Sequence, residues 1–135
     1  MSAYEISTDP ARLDIDAIQS RRIGIPQEGS LVVYVHDSVG RQGAHPALFA
    51  LAEKTRRLCD RYQASLLIND RIDVALAVDA AGVQLTGVSL PVDVARSLLG
   101  PQKLLGASTH SLEEARQAQT DGADFILFGP VYFTP

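Results

Sequence analysis

From Leu31 onward, short apolar runs alternate with longer stretches in which apolar residues recur every third or fourth position. Leu31-Val32-Val33-Tyr34-Val35 is β-branched and apolar on both faces, as a strand covered on both sides must be. After a glycine-containing loop from Ser38 to His45, Leu48, Leu51, Ala52, Thr55, Leu58, Cys59 and Tyr62 fall on one stripe. That spacing predicts a helix from about Pro46 to Tyr62, and Pro46 suits its first turn, where a missing N–H costs nothing. Ser65 to Ile68 then reads as a strand, Val74 to Val78 as a short helix and Gly82 to Leu85 as a strand. Pro91 to Leu99 is a helix ended by Gly100 and Pro101, and Lys103 to Ala107 is a strand. Ser111, with Glu114 three residues on, forms a capping box for a helix that runs to about Asp121 and stops at Gly122. Asp124 to Phe128 is the last strand.

The first thirty residues are patterned more weakly. Tyr4 to Ser7 can form a strand, Leu13 to Ile18 a turn or two of helix, and Arg21 to Pro26 a loop. The chain therefore divides into a degenerate first β/α unit or N-terminal extension over 1–30 and a regular β/α segment over 31–135. Strands alternating with helices imply parallel pairing through right-handed crossovers. Both an open doubly wound sheet and a (β/α)₈ barrel satisfy that rule. The spacing of about twenty to thirty residues from strand to strand, with tight helix-to-strand turns, suits the barrel.

The chain has 135 residues, 46% of them hydrophobic and 21% charged, which is enough to bury one core. A formal charge of −4 gives no electrostatic case for nucleic acid. The basic cluster Lys54, Arg56, Arg57 and Arg61 is interleaved with Glu53 and Asp60, as on a solvated helix face. No run approaches the length of a membrane span, and the N-terminus lacks the basic start and apolar run of a signal peptide. Cys59 is the single cysteine and sits at a helical core spacing, which fits a buried hydrophobe in a reducing compartment. The cytoplasm is the expected location.

In parallel β/α folds, ligands bind at the carboxyl ends of the strands. Here those ends are His36-Asp37-Ser38, Asn69-Asp70-Arg71, Thr86-Gly87-Val88-Ser89, Ser108-Thr109-His110 and Gly129 to Pro135, nearly all polar or glycine-rich after apolar strand bodies. Asn69 can both donate to and accept from a planar heterocycle, and Asp70 can hold Mg²⁺ through oxygen. The alternative for Asp70 or Asp73 is a helix N-cap. Ser108 and Thr109 offer hydroxyls and N–H groups to an anion, or serve as caps ahead of Ser111. His36 is the histidine best placed for proton transfer, whereas His110 suits a surface or capping role. Neither a glycine-rich nucleotide loop nor a zinc-ligand spacing occurs.

Four ordered segments resemble the thiamine-phosphate synthase/TenI family: Leu67 to Ala77, Gly82 to Leu85, Leu105 to Ala115, and Gly122 to Val131. The resemblance implies a TIM-type (β/α) barrel, here partial, with about six of eight strands and not closed. It implies Mg²⁺-dependent coupling of hydroxymethylpyrimidine diphosphate with thiazole phosphate. The alternatives are TenI-like thiazole-phosphate binding or tautomerisation, or a non-catalytic fragment that binds a ligand or partner. By the resemblance Asn69, Ser108 and Thr134 would contact substrate and Asp70 would be the Mg²⁺ ligand; Thr109 and Tyr34 are further candidates for substrate contact, and Ser108 with His36 are the candidate catalytic residues.

The departures are specific. Tyr34, His36 and Ser38 stand where synthases of the family carry a Gln-x-Arg-x-Lys pattern. Ser89 stands where a second Mg²⁺ carboxylate is expected, and Pro130 where the tautomerase branch has histidine. The last two β/α units, which cradle phosphate in such barrels, are expected to be absent, and the open edges to favour a homo-oligomer.

Overall fold

The computed structural model describes residues 5–7, 32–36 and 45–132, with side chains at Val35 and from Leu48 onward. The order is β1 (Glu5–Ser7), β2 (Val32–His36), α1 (His45–Tyr62), β3 (Ser65–Asn69), α2 (Ile72–Ala77) and β4 (Gly82–Leu85). There follow α3 (Val92–Leu99), β5 (Leu104–Thr109), α4 (Leu112–Thr120) and β6 (Phe125–Phe128). The helix expected at Leu13 to Ile18 and the loop at Arg21 to Pro26 lie outside the described residues.

All six strands form one parallel sheet in the order β1-β2-β3-β4-β5-β6. A doubly wound sheet must reverse its order at a switch point; this one never does. Right-handed crossovers between strictly sequential parallel neighbours put every helix on the same side, which is how a β/α barrel winds. The arc is open, since β1 pairs with β2 and β6 with β5 alone among the described strands. The partial barrel expected from the sequence is the fold observed.

Each strand has a helix-facing row and an inner row. Val35, Leu66, Ile68, Val83, Leu85 and Leu105 belong to the buried cluster against which α1 to α3 pack. On α1, Leu48, Ala52, Thr55 and Cys59 are buried as the stripe predicts. Tyr62 is not: it is half-exposed, because the chain reverses at Gln63 in a left-handed conformation and Ala64 bonds back to Cys59 O. Burial also pushes the Cys59 thiol up to about 11, so it stays protonated and is no nucleophile at neutral pH.

The ends of the helices follow the local signals with two differences. Gly100 and Gly122 take positive φ at the ends of α3 and α4, the conformation that glycine adopts without a Cβ penalty. The Ser111 hydroxyl accepts from Glu114 N, but the Glu114 carboxylate reaches back to His110 N rather than Ser111 N, so the box closes one residue early. Strand β5 runs two residues past its expected end, because Ser108 and Thr109 continue the register against Leu127 and Phe128.

Arg96 of α3 ties the amino-terminal side of the sheet. Its guanidinium donates to Gly122 O, Gly100 O, Lys103 O and the Asp124 carboxylate at 2.6–3.0 Å. Asp124 in turn accepts from Leu105 N. Nearby, Lys103 pairs with Asp79 and with Ala80 O, and its ammonium holds the Asp79 carboxyl below the usual range.

Candidate functional site

The carboxyl ends of β3, β4 and β5 bring three of the expected residues into one neighbourhood. Asn69, Gln84, Gly106 and Phe125 are successive register partners across the sheet, a row that shares its face with Leu67, Gly82 and Leu104. Residues of this inner row point away from the helices, and Ser108 lies two residues further along β5 on the same face.

Asp70 owes its place to β4. Its N–H donates to Gln84 O at 2.9 Å, which holds the chain beside β4 for one residue past the end of β3. Arg71 N then donates to Asn69 O at 2.7 Å across Asp70, whose φ is +64°. A bond from residue i+2 back to residue i over a positive φ is a strained γ-turn. Non-glycine residues in such conformations collect at ligand sites. The helix-cap alternative does not hold for either aspartate: the N-cap of α2 is Arg71, with no side-chain cap. Asp73 is instead paired with Arg71 at 2.5 Å, which holds its carboxyl below the usual range. No described residue hydrogen-bonds the Asp70 carboxylate.

Ser108 is reached through Gln84, a residue to which sequence reasoning gave no role in the site. The Gln84 amide nitrogen lies 3.1 Å from Ser108 Oγ and 3.1 Å from Leu85 O. Gln84 is buried, and its Oε1 has no partner among the described residues. A signal was present: a polar residue inside an otherwise apolar four-residue strand.

The remaining candidates separate. Thr109 is 2% exposed and one residue out of phase with Ser108, so its side chain sits on the helix-facing side and does not join the inner row. Tyr34 and His36 are placed by backbone alone, Tyr34 opposite Leu67 and Glu5, His36 opposite Ser7. Thr134 lies outside the described residues. His110 donates from Nδ1 to Gly129 O at 2.5 Å; a carbonyl only accepts, so the proton is on Nδ1. It fastens the end of β5 to the segment after β6, a structural task.

Among the described residues Asp70 is the one carboxylate that directly follows a strand, and no group of three metal-binding side chains occurs among them. The Ser89 hydroxyl is used inside its own turn, accepting from Thr86 N at 2.8 Å and meeting Thr86 Oγ1 at 3.1 Å. This donor set fits Mg²⁺ only in the mode where one carboxylate and substrate phosphates share the ion.

A groove of about 490 Å³ runs along α4 past Leu112, Arg116 and Thr120, apart from the strand ends. Among the described residues no helix is long and apolar enough to cross a membrane.

Comparison with known proteins gives a consistent picture. A family model described as thiamine monophosphate synthase matches residues 30–135. The thiamine-phosphate synthase of Nostoc sp. is 54% identical over 85 residues, covering 63% of this chain and 24% of that protein. The thiamine-phosphate synthase of Shouchella clausii is 41% identical over 108 residues, covering 80% and 50%. The solved structure of thiamine phosphate pyrophosphorylase from Pyrococcus furiosus superposes with a TM-score of 0.75 at 30% identity, covering 97% of this chain and 61% of that one. The chain thus spans about a quarter to a half of the length of these curated relatives. With the sequential parallel arc, the ordered motifs at its strand ends and a family match over most of its length, the chain belongs to the thiamine monophosphate synthase family.

Proposed function

We propose that the strand ends of this partial barrel bind hydroxymethylpyrimidine diphosphate and thiazole phosphate and support their coupling to thiamine phosphate, with release of pyrophosphate. The observation that carries this reading is the convergence of Asn69, Asp70 and Ser108 on one end of one sheet, with Asp70 held in a strained turn and excused from capping. Asn69 can offer both a donor and an acceptor to the pyrimidine edge. Ser108 offers a hydroxyl to a phosphate oxygen. Mg²⁺, held by Asp70 and the diphosphate oxygens, would supply the charge neutralisation that a departing diphosphate needs. Candidate roles for Tyr34, His36, the Thr109 backbone and Thr134 belong to this proposal.

The test is pyrophosphate release by the full chain given both substrates and Mg²⁺. The expected result is turnover that falls at least a hundredfold in Asp70→Asn. No release, together with no heat of binding for either substrate, would overturn the reading.

One observation favours a second reading. Ser89 stands where the resemblance calls for a second Mg²⁺ carboxylate, and its hydroxyl is committed to Thr86. TenI-like binding of thiazole phosphate without coupling then follows. Heat with thiazole phosphate, but no pyrophosphate release, is its signature. The single buried cysteine supports placing the chain in the cytoplasm, and the open edge of β6 supports self-association.

A further inference from the structure

We propose that Gln84 is a positioning residue that makes the Ser108 hydroxyl a hydrogen-bond donor to the anionic group of the substrate. This rests on the reading above that the strand ends hold a phosphorylated ligand.

The orientation of the Gln84 amide follows from its partners rather than from its shape. One amide atom lies 3.1 Å from both Leu85 O and Ser108 Oγ. A carbonyl oxygen can only accept, so the atom facing it is the nitrogen. An amide nitrogen can only donate, so Ser108 Oγ is the acceptor in their contact. The serine's own proton is therefore left for another partner, and no described residue takes it. A bound ligand can supply the acceptor, and a phosphate oxygen is a strong one.

Packing keeps the amide in this pose. Gln84 is 3% exposed, and its unpartnered Oε1 lies over Gly106, where a Cβ would come within 2.2 Å of it and within 2.3 Å of the Phe125 ring. Only glycine leaves room at that point. The amide is thus bonded at its nitrogen and wedged at its oxygen, and an orphaned buried acceptor is a cost that a folded protein tolerates where function requires it. The position also explains why a polar residue interrupts β4: an apolar side chain there would make no bond to the serine and would leave it free to turn.

The test compares the wild type with Gln84→Leu, Gln84→Glu, Ser108→Ala and the double variant Gln84→Leu/Ser108→Ala. Binding of hydroxymethylpyrimidine diphosphate with Mg²⁺ is read by calorimetry. Loss of one hydrogen bond to an anionic oxygen predicts at least about tenfold weaker binding for Gln84→Leu and for Ser108→Ala. The double variant should be no weaker than either single one, because the two side chains act as a unit. Gln84→Glu should lose more, since a carboxylate only accepts and draws the serine proton back toward the sheet. Wild-type affinity in Gln84→Leu, or full additivity in the double variant, would overturn the proposal.

A second arm needs no ligand. The Gln84 side-chain amide signal, identified by its loss in Gln84→Leu, should exchange slowly with solvent and move in Ser108→Ala. Fast exchange, or no shift, would overturn the inference while wild-type turnover left the proposed function standing. An absent wild-type response to the diphosphate would overturn that function instead, and the amide signal would still decide the bond.

Discussion

Asp70 holds its carboxylate at the strand ends in a backbone conformation that an aspartate occupies at some cost. Left-handed φ at a non-glycine residue costs on the order of 1 kcal/mol, less for aspartate than for alanine. The turn is imposed from outside the residue, by Gln84 O on one side and Asn69 O on the other. Among the described residues the side chain neither caps α2 nor pairs with a neighbour. Replacing it should therefore separate stability from function. Asp70→Gly relieves the strain but adds unfolded-state entropy, so the melting temperature should stay level or rise, with a gain of at most about 1 kcal/mol. Pyrophosphate release should nevertheless disappear. Thermal unfolding beside the turnover assay checks both, and a clear drop in melting temperature would mean that the carboxylate supports the fold after all.

At the scale of the element, the opposite end of the sheet shows the converse division of labour. Arg96 uses one guanidinium to join the end of α3, the approach to β5 and the turn between α4 and β6. Its partners are chiefly backbone carbonyls on the amino-terminal side, where barrels of this kind keep stability rather than chemistry. Arg96→Ala should cost roughly 2–4 kcal/mol by leaving those carbonyls and Asp124 short of donors. Arg96→Lys should recover little, since one ammonium cannot span the fork. Denaturant unfolding measures the loss, and kcat of the surviving folded protein should be unchanged. These elements also show what a sequence can reveal. The strands and helices from Ser65 onward were legible because their apolar period is local, and their stops because Gly100 and Gly122 meet a local need. The Asn69-Asp70 and Ser108 positions were legible as polar ends of apolar runs. Gln84 was not, because its task depends on Ser108, 24 residues away. Thr109 was misplaced for a related reason: β5 runs on for two residues, which the pairing with β6 decides, and the pleat then turns Thr109 to the far side.

Across the whole molecule, the same helix-facing row of the sheet is covered at one place and bare at another. Ile68, Val83 and Leu105 are fully buried, whereas Ile126 and Phe128 of β6 are 37% and 48% exposed. The difference is topological. A strand inside the arc lies under the helix before it and the helix after it, while β6 has only α4 packed upon it among the described helices. Leu112 of α4, with Val131 and Tyr132 beyond β6, is exposed as well. Apolar surface beside a strand edge with unpaired N–H and C=O groups favours pairing with another chain. A net charge of −4 over 135 residues opposes it only weakly. We therefore expect a second copy to cover this edge, with a sedimentation mass that rises above the monomer as concentration increases. The double variant Ile126→Lys/Phe128→Lys should restore the monomer, at the cost of a lower melting temperature, because half or more of each side chain is buried within the folded chain. Salt gives an independent check: contact through apolar surface persists at high ionic strength, whereas contact through exposed charges weakens. A wild-type monomer at high concentration would show instead that β6 is protected as it stands.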